Sequence, residues 1–416
     1  MKGAHAIPPT PHSRPSPAGE LPIPPHSSPT PPSSAPAGMV VGRYVVFPAI
    51  AMGGMASVHI GRMSGPVGFG RTVAIKRLHP QFANDPEFVS MFVDEARLAA
   101  RVQHPNVVSV LDVVAVDGEL FLVMDFVRGE SLSFLLQCCR EIGTPAPLDC
   151  VVSVVVGMLH GLHAAHEALD EKGSPLGLVH RDVSPQNVLV GADGVPRLVD
   201  FGVARAANRV QSTRRGQIKG KLDYLAPEQL ECVPATRQTD IYAACVVLWE
   251  ALSGRRLFDS EQVGAKVTRM LAGRFPAPSS FNPLVSADLD KLVAKGMARR
   301  PEDRFPTARD LALALERTLS PATPSRVGDW VLEIASDRLR DRDRTIARIE
   351  SQSDSAVRRR SSLLHEVARS RAVSAAQPTL DAVPVPGDSA PSEEPPPDIE
   401  VSCVVARTSL TDLEPS

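Results

Sequence analysis

The stretch His180-Arg181-Asp182-Val183-Ser184-Pro185-Gln186-Asn187, followed at short range by Asp200-Phe201-Gly202, decides the reading of this chain. It sets a candidate base, a candidate metal-binding amide and a candidate metal-binding carboxylate in one short run. Two further runs flank it in order, Val73-Ala74-Ile75-Lys76 upstream and Ala226-Pro227-Glu228 downstream. Any one of these runs alone carries little weight. A surface loop with incidental polar residues does not account for all of them in sequence.

In order and spacing the runs resemble the signature of protein kinases. The middle of the chain, residues 43–319, is similar to the eukaryotic-like Ser/Thr kinases of bacteria, including soluble myxobacterial ones. The resemblance implies an α+β, two-lobed fold, with a small β-rich lobe over about 43–124 and a larger helical lobe over about 128–319. It implies ATP and Mg²⁺ as cofactors and protein Ser/Thr hydroxyls, this chain's own included, as acceptors. The loop after Asp182 lacks the arginine-bearing pattern usual for tyrosine kinases, which favours Ser/Thr. The alternative is a pseudokinase scaffold that binds nucleotide or partners with little catalysis.

Phosphoryl transfer asks a protein mainly for positioning and charge neutralisation. By resemblance, Lys76 reaches the α and β phosphates and Glu95 is its ion-pairing partner, with Asp94 the nearest rival. Asp182 accepts or orients the substrate hydroxyl. Asn187 and Asp200 hold Mg²⁺, which prefers oxygen ligands and keeps several waters. Met124 ends a strand as gatekeeper. Asp125, Phe126 and Val127 form the hinge whose backbone binds the base, and Val58, Ala74 and Leu189 sandwich the ring. Glu228 is expected to pair with Arg304, and Asp240 to support the catalytic-loop backbone. Arg181 is positioned to receive a phosphate on Ser212 or Thr213.

Two departures stand out. The phosphate-covering segment from Ile50 reads Ala51-Met52-Gly53-Gly54-Met55-Ala56-Ser57-Val58, with alanines where the family has two glycines. If positive φ is needed there, each alanine costs on the order of 1 kcal/mol. The family's lysine two residues after the catalytic Asp is here Ser184, and its threonine in the later Gly220-Lys221-Leu222-Asp223-Tyr224 run is Lys221. A lysine–threonine pair has become a serine–lysine pair, so Lys221 is expected to supply the charge that Ser184 cannot.

Composition is permissive. Lys+Arg number 45 against 47 Asp+Glu, so no global charge draws the chain to nucleic acid. Hydrophobic residues are 43% but aromatics only 4%, so aliphatic side chains must fill the core. Cys138, Cys139, Cys150, Cys232, Cys245 and Cys403 show no zinc-ligand spacing, and Cys150 and Cys245 read as buried thiols. Prolines from Pro8 onward interrupt any signal peptide. The apolar stretch Cys150 to Leu162 is short for a bilayer. The expectation is a cytoplasmic chain without a membrane span, with its input intracellular. Oligomeric state is not readable.

Residues 1–42 read as a Pro/Ser-rich disordered leader and 351–416 as a disordered tail. Between 320 and 350 a helical extension is expected. Val327, Trp330, Val331 and Ile334 fit one face that caps the large lobe. Asp337 to Glu350 is charged nearly all round and reads as a solvated helix or none.

Overall fold

A computed structural model of the chain describes residues 38–65, 69–201, 222–259 and 262–351. Among these, strands β1 (Met39–Val41), β2 (Tyr44–Met52), β3 (Ala56–Ser64), β4 (Gly70–Leu78), β5 (Val110–Val116) and β6 (Glu119–Asp125) form one antiparallel sheet in the order β1-β2-β3-β4-β6-β5. The chain enters this sheet at Met39, earlier than the boundary expected at 43. Period-2 alternation sorts its side chains. Tyr44, Val46, Val73, Ile75, Phe121 and Val123 pack on one face. On the other, Leu78, Leu122 and Met124 meet Phe92 and Ala96 of α2 (Pro86–Arg101). α2 starts where the Asp85 side chain caps the Glu87 N–H, with Pro86 in its first turn. A short helix, α1 (Pro80–Ala83), precedes it.

The β-branched run Val107-Val108-Ser109-Val110 has strand composition but is largely a connector. Val107 bridges Leu198 and the Val108 N–H donates to the Leu198 carbonyl, so this segment stitches the small lobe to the large one. The strand itself is β5, beginning where that run ends.

The larger lobe opens on β7 (Gly129–Ser131), continues through α3 (Leu132–Ile142) and α4 (Leu148–His166), and returns in β8 (Val188–Gly191) and β9 (Pro196–Leu198); β7, β8 and β9 form a small sheet. Then come α5 (Pro227–Leu230), α6 (Arg237–Ser253), α7 (Val263–Ala272), α8 (Ala287–Gly296), α9 (Ala308–Thr318) and α10 (Pro324–Ile334). α4 and α6 are apolar nearly all round because both run through the core. By length and composition alone α4 could cross a bilayer, contrary to the reading of its apolar stretch as short, but 67% of its apolar window is buried inside the protein. Its two glycines have a packing reason: a Cβ at Gly161 would lie 2.6 Å from the Asn106 carbonyl oxygen. Cys150 and Cys245 are buried, and burial pushes the Cys150 thiol up to about 11 and that of Cys245 to about 12.

Val327, Trp330 and Val331 of α10 are buried in the large-lobe core, with Ile334 packed partly against it. Residues 336–351 form a further helix, α11. It is not the solvated rod its charges suggest. Leu339 and Ile349 are buried, and Ile346 packs beside Ile349 against Phe47 and Ile60 of the small lobe.

Candidate active site

The cleft between the lobes gathers residues that are far apart in sequence. Lys76 projects from β4, and its Nζ lies 3.2 Å from Glu95 Oε1 and 2.9 Å from Asp200 Oδ1. Burial alone would pull the Lys76 ammonium down. The carboxylates of Asp200 and Glu95 outweigh it and hold the pKa above the ordinary lysine value. Glu95 is buried on α2, whereas Asp94 is exposed and pairs with Arg97 of its own helix, which disposes of the rival partner.

The loop 180–187 is held from below. Asp240 of α6 accepts the His180 N–H at 2.7 Å and the Arg181 N–H at 2.8 Å, and bonds His166 Nε2 at 2.8 Å. This clamp fixes Arg181 at φ +63°, and Asp200 sits at φ +59°. Non-glycine residues occupy that region at a cost of about 1–2 kcal/mol each. The buried His180 stacks at 4.8 Å on Phe201 and bonds the Val199 carbonyl, tying the loop to the run that carries Asp200.

Asn187 Nδ2 donates to the Asp182 backbone oxygen at 2.8 Å and to Asp182 Oδ2 at 2.9 Å. Both amide N–H groups are thereby committed and the amide oxygen is left as an acceptor. One amide oxygen and the Asp200 carboxylate form the hard-oxygen donor set that suits Mg²⁺ completed by phosphate and water. Among the described residues no cluster of three or more His, Cys, Asp or Glu offers a rival cation site.

The segment from Ile50 to Val58 folds as a β2–β3 hairpin. Ala51 pairs with Val58 and Met52 with Ser57, and the Gly53 N–H donates to the Ala56 carbonyl at 2.9 Å. His79 braces the turn through the carbonyls of Gly53 and Met55. No residue between Ala51 and Val58 has positive φ, so the cost anticipated for the two alanines does not arise. Gly53, Gly54 and Met55 form the tip. The buried Ser57 hydroxyl is bonded to His59 Nε2 at 2.8 Å, and His59 Nδ1 bonds the Phe47 carbonyl at 2.7 Å. That side chain is therefore turned into the sheet, and only the Ser57 backbone is left for phosphate.

Met124 is buried, and Ala74, Val127 and Leu189 join its apolar cluster. Val58 stands opposite Lys76 in the sheet. The Asp125 N–H is spent on the Ser109 carbonyl at 3.0 Å and its carboxylate on Arg71, so the base-binding backbone groups of the hinge narrow to its remaining ones. The Phe126 side chain packs with Ile50, Ile346 and Ile349 instead of entering the cleft. Glu228 and Arg304 form a buried bidentate pair with both contacts at 2.8 Å. Lys221, Ser212 and Thr213 lie outside the described residues.

The reading of the sequence missed His59, His79, His166 and the half-buried Asp223–Lys266 pair. Each acts through a partner distant in sequence or through a strand register, and no local pattern marks it.

The protein kinase domain family matches residues 46–313. Over 279 residues the chain is 40% identical to "Tyrosine-protein kinase MasK" of Myxococcus xanthus, covering 67% of this chain and 43% of that protein. It is 36% identical over 282 residues to "Serine/threonine-protein kinase PknH" of Mycobacterium tuberculosis, covering 65% and 43%. The chain thus spans less than half the length of these curated relatives. The crystal structure of the M. tuberculosis PknI kinase domain superposes with a TM-score of 0.52 at 26% identity, covering 69% of this chain and 100% of that one.

Proposed function

This chain belongs to the protein kinase family, and we propose that it transfers the γ-phosphoryl group of MgATP to Ser and Thr hydroxyls of proteins, its own included. The observation that carries this reading is the assembled cleft: Lys76 held between Glu95 and Asp200, with Asp182 bonded to Asn187. Bound MgATP supplies the phosphoryl group and the cationic charge that screens it. Lys76, held ammonium by its two carboxylates, orients the phosphates. Asp182 receives the acceptor hydroxyl and its proton. The hairpin of Ala51 to Val58 covers the phosphates with backbone N–H groups, and Met124, Ala74, Val127 and Leu189 enclose the base. By the family resemblance of its run, Lys221 supplies the cationic charge that Ser184 does not.

One relative is named a tyrosine kinase and another a Ser/Thr kinase, so the acceptor is the point to test. After incubation with γ-labelled ATP, Mg²⁺ and a basic protein acceptor, acid hydrolysis should release labelled phosphoserine or phosphothreonine. Label confined to phosphotyrosine would overturn the acceptor assignment, and no label would overturn the activity.

A further inference from the structure

The kinase reading gives α11 no task, yet the helix contacts the small lobe, the segment just after the hinge and the large lobe. At its start, Leu339 is buried in the large-lobe core and Arg338 lies 4.5 Å over the Phe134 ring. One turn on, the helix reaches the segment just after the hinge. Arg342 donates to the Gly129 carbonyl at 2.7 Å and to Glu130 Oε1 at 2.7 Å, Arg338 sits 3.1 Å from the same carboxylate, and Asp343 takes a bidentate grip on Arg128. At its end it holds the small lobe. Ile346 and Ile349 pack with Phe47, Ile60, Ile50 and Phe126, and Glu350 accepts from Arg62 at 2.7 Å and Thr72 at 3.2 Å.

We propose that α11 is a strap that fixes the relative position of the two lobes behind the hinge and thereby sets nucleotide affinity; the nucleotide arm of this proposal rests on the kinase reading. Three physical points support it. A helix of this length spans about 24 Å, enough to run from one lobe to the other. The cluster that its end joins includes Phe126 of the hinge and Ile50 at the start of the phosphate-covering hairpin. Glu130, only 4% exposed, meets two guanidinium groups of α11, Arg338 and Arg342, so the helix docks behind the hinge in one specific charge register. The lobes of such an enzyme must shift to admit nucleotide and release product. A strap anchored on both lobes and on the hinge biases that motion.

The test uses the full chain and two readouts: hydrogen exchange of residues 336–351 and of the hinge 125–128, and affinity for MgADP. In the parent both segments should exchange slowly. Ile346→Asp/Ile349→Asp and, separately, Glu350→Arg should speed exchange in both segments and weaken MgADP binding about fivefold or more. The paired reversal Arg62→Glu/Glu350→Arg should restore slow exchange and affinity, which excludes general misfolding as the cause. Fast exchange of α11 in the parent, or a released α11 with unchanged hinge exchange and unchanged affinity, would overturn the proposal. A parent that binds no MgADP, while hinge exchange still follows the strap variants, would sink the kinase reading and leave the strap standing.

Discussion

At the scale of single residues, the chemistry depends on charges placed against one another. Lys76 stays an ammonium although buried, because Asp200 and Glu95 face it. Asp182 is oriented by the amide of Asn187. Lys76, Asp182, Asn187 and Asp200 were legible in the sequence because each stands in a short run whose spacing carries the chemistry, and Glu95 was picked over Asp94 by its place on the helix. Ser184 and Lys221 are the residue-scale question. If Lys221 provides the charge that Ser184 lacks, Lys221→Ala should lower phosphoryl transfer about a hundredfold or more. Ser184→Lys added to it should recover most of that loss. Steady-state kinetics on the two variants checks this, and an undiminished Lys221→Ala enzyme would mean the exchange is neutral. The consequence of the two alanines in the Ala51–Val58 hairpin stayed conditional in the sequence. Whether a position needs positive φ depends on the turn the strands adopt, and the register of β2 with β3 avoids it.

At the scale of elements, the Glu228–Arg304 pair joins α5 to the segment before α9. Burial pushes the Glu228 carboxyl up, but the Arg304 guanidinium and the Thr239 hydroxyl outweigh it and hold its pKa below the usual range. A depressed carboxylate contributes stability that is present above its unfolded pKa, about 4.3, and is lost as pH falls through its folded value. Glu228→Gln should therefore destabilise the protein by about 3–5 kcal/mol at neutral pH, since it leaves a buried guanidinium unpaired. It should also flatten the loss of stability below pH ~4. Urea unfolding across pH measures both; a parent-like acid dependence in the variant would refute the pair's role. Element boundaries carry a local signal where caps mark them, as at Asp85-Pro86 and at Ser131, whose side chain accepts the Phe134 N–H. They were not where tertiary pairing decides: Val107 and Val108 have strand composition but bind Leu198 across the lobes. α11 was misread because its charges look solvated until their partners in Arg62, Arg128 and Glu130 are in place. The signal that would have found it is the spacing of Leu339, Ile346 and Ile349, which lies along one helical face.

At the scale of the whole molecule, two lobes close on a cleft that neither builds alone. The small lobe gives Lys76 and Glu95, and the large lobe gives Asp182, Asn187 and the Asp240 clamp beneath them. The two-lobed architecture followed from the order of the motifs. How the lobes are tied together did not, because the ties, Val107 and Val108 on Leu198 and the contacts of α11 with both lobes, join residues distant in sequence. The most direct measurement compares Asp182→Asn with the parent for phosphoryl transfer from labelled MgATP and, in parallel, for MgADP affinity. The variant should bind MgADP as the parent does and transfer about 10²–10⁴-fold more slowly. Transfer at the parental rate would contradict the assignment of Asp182, and with it the account of this cleft as a phosphotransferase site.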